Sequence, residues 1–165
     1  MTKPIKVGVI SDTHGFINSE IYTIFNDVDH ILHAGDIGTE EILEELRLLA
    51  PVTAVQGNGD YFTGWQRYRQ VEMIRFNGKT LLLTHELDPP PRLSHPMGEL
   101  IAANKPDSVI YGHSHFPYNR EDDGVLYFNP GRAGKDSYST SPTLGILFIG
   151  KDIEAEIIPL DEDNF

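Results

Sequence analysis

The chain has no cysteine among its 165 residues. Disulfides, thiolate nucleophiles and cysteine-type zinc sites are therefore excluded. Positive charge is also scarce: 13 Lys and Arg stand against 25 Asp and Glu, for a net charge of −12. A surface that acidic repels nucleic-acid backbones and anionic lipid. No apolar stretch approaches the roughly 20 residues that cross a bilayer. The Met-Thr-Lys-Pro start leads directly into a short apolar run, without the pattern of a signal peptide. The expected setting is cytoplasmic, with neither membrane nor nucleic acid as partner. A Gly-x-Ser-x-Gly nucleophile elbow is missing too, which turns attention from side-chain nucleophiles to activated water.

What the chain does have is a 39% hydrophobic content, ordinary for a globular protein, arranged in short runs. Residues 5–11, 29–33 and 52–56 read as buried strands. Between them, 18–26 reads as a short helix. The segment 39–49 reads as a clearer one, with Thr39 as N-cap and Glu40 and Glu41 in its first turn. The order β-α-β-α-β predicts a parallel sheet with right-handed crossovers. The pattern then changes. Residues 71–76 and 80–84 flank Asn77-Gly78, the signature of a hairpin with a type I′ turn. A helix is expected over 98–104 and short strands at 108–111 and 126–128. A closing hairpin is expected from 144–149 and 153–158. With no repeat or linker, 1–165 reads as a single domain whose last residues, 160–165, form a loose tail.

Five of the apolar runs end on residues that bind metals: Asp12 and His14, Asp36, Asn58, His85, and His113 and His115. A strand that ends in a polar ligand delivers it to the sheet rim, where open α/β sheets bind ligands. Carboxylates mixed with imidazoles suit Mn, Fe, Ni, Co or Zn better than Ca or Mg. The single carboxylate of Asp36 has two oxygens and can bridge two cations. Such a pair, about 3.5–4 Å apart, can hold a phosphoryl oxygen and stabilise in-line displacement. His30, His33 and His95 lack a ligand pattern, and His33, inside a buried run, reads as a hydrogen-bonded core residue. Tyr61, Phe62, Trp65 and Tyr68 read as parts of a packed loop.

The order Asp12-x-His14, Gly35-Asp36, Gly57-Asn58, His85 and Gly112-His113-Ser114-His115 resembles the calcineurin-like metallophosphoesterases. Gly-His-Ser-His-Phe-Pro followed by Asn129-Pro-Gly resembles their small bacterial and archaeal phosphodiesterase subgroup. The resemblance runs from about residue 5 to 149. It implies an α/β fold, a four-layer α/β/β/α sandwich of two mixed sheets flanked by helices, with a dinuclear metal site at the sheet edge. It implies one ion on Asp12, His14, Asp36 and His115. The second ion falls on Asp36, Asn58, His85 and His113. The cofactors implied are two divalent transition-metal ions, Mn first and Ni, Fe or Zn as the others. A bridging hydroxide would attack phosphorus, with Asp36, Asn58 and His85 at the catalytic centre. Asp60 is expected behind the ligands, orienting Asn58 or an imidazole, and Asn129 and Arg132 at the substrate.

Three positions depart from the family pattern. Gly59 stands where larger relatives have a histidine that protonates the leaving group. Glu86 stands where a glycine is common, and Arg132 where serine often follows Asn-Pro-Gly. Arg132 is expected either to hold a phosphate oxygen or to pair with a surface acid. The reading is a metal-dependent phosphodiesterase acting on a small substrate, as a monomer or a homodimer. The alternatives are a phosphomonoesterase and a non-catalytic protein-binding scaffold of the same fold.

Overall fold

The computed structural model describes residues 2–60, 67–135 and 140–165. Two five-stranded sheets lie against each other. The first contains β1 (Ile5–Ile10), β2 (His30–His33), β3 (Val52–Ala54), β9 (Thr143–Ile149) and β10 (Ile153–Pro159), in the order β10-β9-β1-β2-β3. The second contains β4 (Val71–Phe76), β5 (Lys79–Thr84), β6 (Ser108–Ile110), β7 (Tyr118–Asp122) and β8 (Val125–Asn129), in the order β4-β5-β6-β8-β7. Helices α1 (Ile21–Ile24) and α2 (Glu40–Arg47) belong to the first half, and α3 (His95–Asn104) precedes β6.

The layering follows from which side chains meet. Val7 and Val9 of β1 pack with Leu81, Leu83, Ile110 and Phe128, between the sheets. Their neighbour Ile10 points the other way, joining Ile21 and Phe25 near α1 and Leu43 and Leu46 of α2. On the far side of the second sheet, Leu82, Val109 and Tyr127 meet Ile101 of α3. Side chains alternate along a strand, so one strand can feed two cores. The result is the expected α/β/β/α sandwich.

β1, β2 and β3 are parallel, as the β-α-β-α-β reading requires, while β9 and β10 add an antiparallel edge. In the second sheet β5, β6 and β8 are parallel, and the two outer strands are antiparallel. Asn77 and Gly78 both take positive φ, 49° and 81°, as a type I′ turn demands.

Four details differ from the sequence reading. Helix α1 is a single turn, because the Asn18 side chain accepts from the Glu20 N–H at 3.0 Å and forms a local turn instead. α3 starts three residues early, with Pro96 in its first turn, where a missing N–H costs nothing. β7 was not anticipated, although Asp123-Gly124, with φ of 49° and 76°, is a second hairpin turn of the same kind. The tail is tied down rather than loose. The Ser19 N–H donates to Asn164 O at 2.9 Å, and Asn18 Nδ2 donates to Asp161 O at 2.7 Å.

Gly8 lets β1 sit close to α1: a Cβ there would lie 2.8 Å from the buried Phe25 ring. Overpacking of this kind costs about 1–3 kcal/mol. Gly8→Ala should therefore lower the urea midpoint without changing the slope; an unchanged midpoint would show that the ring yields.

Candidate metal centre

Each expected ligand follows the carboxyl end of a strand. Asp12 and His14 follow β1, Asp36 follows β2, Asn58 follows β3, His85 follows β5, and His113 and His115 follow β6. These are all strands of the two parallel sets, and their ends meet on one rim. Leaving a strand so sharply requires unusual backbone. Asp12, His14, Asp36, His113 and His115 all have φ between 48° and 69°, a left-handed region that non-glycine residues enter only at a cost. Gly35 leaves no room for a side chain, because a Cβ there would come within 2.7 Å of the His85 ring.

Asp36 lies at the middle. Its Oδ2 is 3.4 Å from His85 Nε2 on one side and 3.8 Å from His14 Nε2 on the other. Its Oδ1 accepts from the Gly59 N–H at 2.7 Å. On the His14 side, Asp12 Oδ1 lies 3.8 Å from His14 Nε2 and 3.3 Å from His115 Nε2. On the His85 side, Asn58 Oδ1 is 2.9 Å from His85 Nε2 and 3.0 Å from His113 Nδ1. The seven residues thus form two groups that share Asp36.

Two observations test whether this arrangement suits cations. Asp12 is fully buried, and its Oδ1 has no hydrogen-bond partner among the described residues. A buried carboxylate oxygen in that state is costly unless something positive faces it. Second, His85 Nδ1 lies 2.6 Å from Ala34 O, which only accepts. The ring proton is therefore on Nδ1, and Nε2 turns a lone pair toward Asn58 Oδ1 and Asp36 Oδ2. Converging lone pairs need a proton or a cation. The same strain appears in titration. Burial lowers the His85 pKa, but the Asp36 contact and the charge of Asp12 outweigh it and raise the pKa. Burial pushes Asp36 up, and His85, the Gly59 N–H and His14 together bring it below its ordinary value. The donor set fits divalent metal ions.

The residues expected around the ligands act through the main chain. Asp60 is buried and accepts from the N–H groups of Ile37, Gly38 and Gly57 at 2.9–3.1 Å. It clamps the loop after Asp36 to the loop before Asn58. Asn129, expected at the substrate, is fully buried. Its Nδ2 donates to Gly112 O and Ser114 Oγ, and its Oδ1 accepts from the Gly131 N–H. Its amide braces the His113–His115 loop. Arg132 is also buried, at 1% exposure, rather than open to phosphate or pairing at the surface. Its guanidinium donates to the carbonyls of Gly134 and Thr140. Glu86 is exposed, at the wall of a cavity of about 650 Å³ that Asn58 and His85 also line. Tyr61, Phe62 and Trp65 lie outside the described residues; Tyr68 is near Glu40 and Arg47.

The sequence reading missed Ser11, whose buried hydroxyl donates to Asp12 Oδ2 at 2.6 Å, beside the His113 N–H at 3.1 Å. A serine at the end of the expected strand 5–11, directly before Asp12, was the available signal. It also missed Thr13, whose hydroxyl meets His33 Nε2 at 3.0 Å and donates to Ile37 O at 2.8 Å.

The domain model of the calcineurin-like phosphoesterase superfamily matches residues 5–152. The chain belongs to that superfamily. It is 35% identical over 158 residues to a probable metallophosphoesterase of Methanothermobacter thermautotrophicus, covering 92% of this chain and 91% of that one. It is 32% identical over 174 residues to a phosphodiesterase of Methanocaldococcus jannaschii, covering 93% and 99%. The fold is shared with vacuolar protein sorting 29 of Cryptosporidium parvum at a TM-score of 0.80 and 18% identity, covering 98% and 94%. Members of the superfamily use divalent metals, in keeping with the donor set.

His33 supports this phosphoesterase rim from below, as a hydrogen-bonded core residue. Nδ1 accepts from the Gly35 N–H at 3.2 Å, and burial pushes its pKa from 6.5 down to about 3. Between those values the unfolded chain binds a proton that the folded protein refuses. Stability is therefore full above pH 6.5 and falls as pH drops toward 3. By pH 5 the loss is about 2 kcal/mol. Urea unfolding of metal-free protein at pH 7.5 and pH 5 should show this loss, and His33→Asn should lack it. An identical loss in both proteins would assign it to other groups.

Proposed function

We propose that the protein is a dinuclear, metal-dependent phosphodiesterase acting on small phosphate diesters. The observation that carries this reading is the shared carboxylate of Asp36, set between an Asp12–His14–His115 group and an Asn58–His85–His113 group. One ion would be held by Asp12, His14, Asp36 and His115, and the other by Asp36, Asn58, His85 and His113, with Mn the first candidate and Ni, Fe or Zn behind it. When bound, the ions polarise the phosphate and activate water.

The chain's own residues then decide which ester fits. Arg132 is committed to carbonyls, so the protein offers no arginine clamp there, and its net charge is −12. A dianionic monoester meets more repulsion than a monoanionic diester. Gly59 brings its N–H to Asp36 but no acid to the leaving group, which favours esters of acidic alcohols such as phenols. The phosphodiesterase name of the Methanocaldococcus relative is in accord.

Metal-stripped protein should hydrolyse bis-p-nitrophenyl phosphate only after a transition metal is restored, and faster than p-nitrophenyl phosphate. No turnover of either ester with two ions bound would sink the enzyme reading and leave the protein-binding scaffold. Asp36→Asn should bind fewer than two ions by elemental analysis and lose more activity than the roughly 10–100-fold that follows loss of a ligand's outer hydrogen-bond partner. Two full equivalents of metal in that variant would remove Asp36 as the bridge.

A further inference from the structure

The cavity beside the Asn58–His85 group has a lining that the phosphate chemistry does not explain. At about 650 Å³ it is far larger than a phosphate group needs. Gln56 and Gln70 contribute amides, Val71 and Met97 contribute apolar surface, and no lysine or arginine is among its described wall residues. Among the described wall residues the one carboxylate is Glu86, the residue directly after His85. That carboxylate is exposed and makes no hydrogen bond or ion pair among the described residues. A negative group beside a site for an anion weakens phosphate binding unless the ligand brings a compensating positive charge.

We infer that this cavity receives one esterifying group of the diester, and that Glu86 selects alcohols bearing an ammonium group, so that the preferred substrate is zwitterionic. The inference rests on the phosphodiesterase reading above and adds the substrate class. The apolar surface of Val71 and Met97 suits the methylenes or methyls around the nitrogen. The two glutamine amides suit a polar backbone to the alcohol. Glu86 supplies the countercharge, and the zwitterion as a whole is neutral toward an acidic protein.

Two p-nitrophenyl diesters of one shape isolate the charge. One carries choline, and the other carries 3,3-dimethylbutanol, in which carbon replaces nitrogen. With metal-loaded protein, kcat/KM should favour the choline ester about three- to fivefold, the scale of a partly exposed ion pair. The ratio should fall to about one in Glu86→Gln. A ratio near one in the wild type, or one that survives in Glu86→Gln, overturns the inference. A second readout needs no turnover. Choline chloride titrated into the protein should shift the methyl resonances of Val71 and Met97, whereas 3,3-dimethylbutanol should do so less, and Glu86→Gln should abolish the difference. Equal shifts from both probes also overturn it. Failure to hydrolyse even bis-p-nitrophenyl phosphate, with the methyl shifts present, would reject the enzyme reading while leaving the ammonium site in place.

Discussion

Two buried carboxylates facing each other's histidines are the constraint on which the rest of the rim depends. Asp12 and Asp36 are 0% and 5% exposed. Removing such groups from water costs several kcal/mol each unless charge and hydrogen bonds replace the solvent. One oxygen of each is served by the protein. Ser11 and the His113 N–H donate to Asp12, and the Gly59 N–H donates to Asp36. The other oxygen of each faces imidazole nitrogens, and the two carboxylates come within 4.8 Å of each other. Those nitrogens can answer with protons or stand back for cations. The site is thus built around positive charge that the chain does not itself fix in place.

Holding that arrangement falls to residues that never reach the rim. Left-handed backbone at five of the expected ligands is strained, and strain persists only where the surroundings over-determine it. Asp60 supplies part of that constraint by gathering three N–H groups from two loops. Asn129 supplies more from the end of β8, and Arg132 closes the following loop on its own carbonyls. Beneath them, His33 and Thr13 join the ends of β1 and β2. Other bonds join the two sheets at this centre: His85 Nδ1 meets Ala34 O, the His113 N–H donates to Asp12 Oδ2, and the Ala133 and Gly134 N–H groups donate to the carbonyls of Ser11 and Asp12.

This division explains what could be read before the structure. Apolar runs ending on Asp, Asn and His announce both strand and candidate ligand, so the parallel strands and the seven rim residues were legible, while the four-layer sandwich followed from the family resemblance. Braces announce nothing, because a buried Asn or Arg after a strand looks the same as one that reaches a substrate. Asn129 and Arg132 were placed at the substrate for that reason. Only the direction of their hydrogen bonds, set by tertiary packing, assigns them to the loops. β7 escaped for a different cause: Tyr118–Asp122 is mostly exposed and polar, so no apolar alternation marks it, and Asp123-Gly124 alone carried the signal. The tail was misjudged because its acidity suggests solvent, whereas its backbone is what the Asn18 and Ser19 turn captures.

Metal and substrate binding are coupled by the same electrostatics. Without ions, the rim presents Asp12, Asp36 and the free carboxylate of Glu86 to any approaching phosphate. The nearby arginine is buried and donates to the Gly134 and Thr140 carbonyls and the Thr140 hydroxyl. Two divalent cations would add four positive charges at that point and invert the local field. Phosphate affinity then follows metal loading rather than the protein's own cations. Protons compete for the same places, since burial is outweighed by Asp36, the charge of Asp12 and the Ala34 carbonyl, which make His85 hold its proton more firmly than a free imidazole. Acid would therefore act on substrate binding through the expected ligands, by keeping the ions out. A protein with a basic phosphate clamp would keep some affinity in the metal-free state. With Arg132 turned inward, attraction for an anion at this rim would rest on the ions.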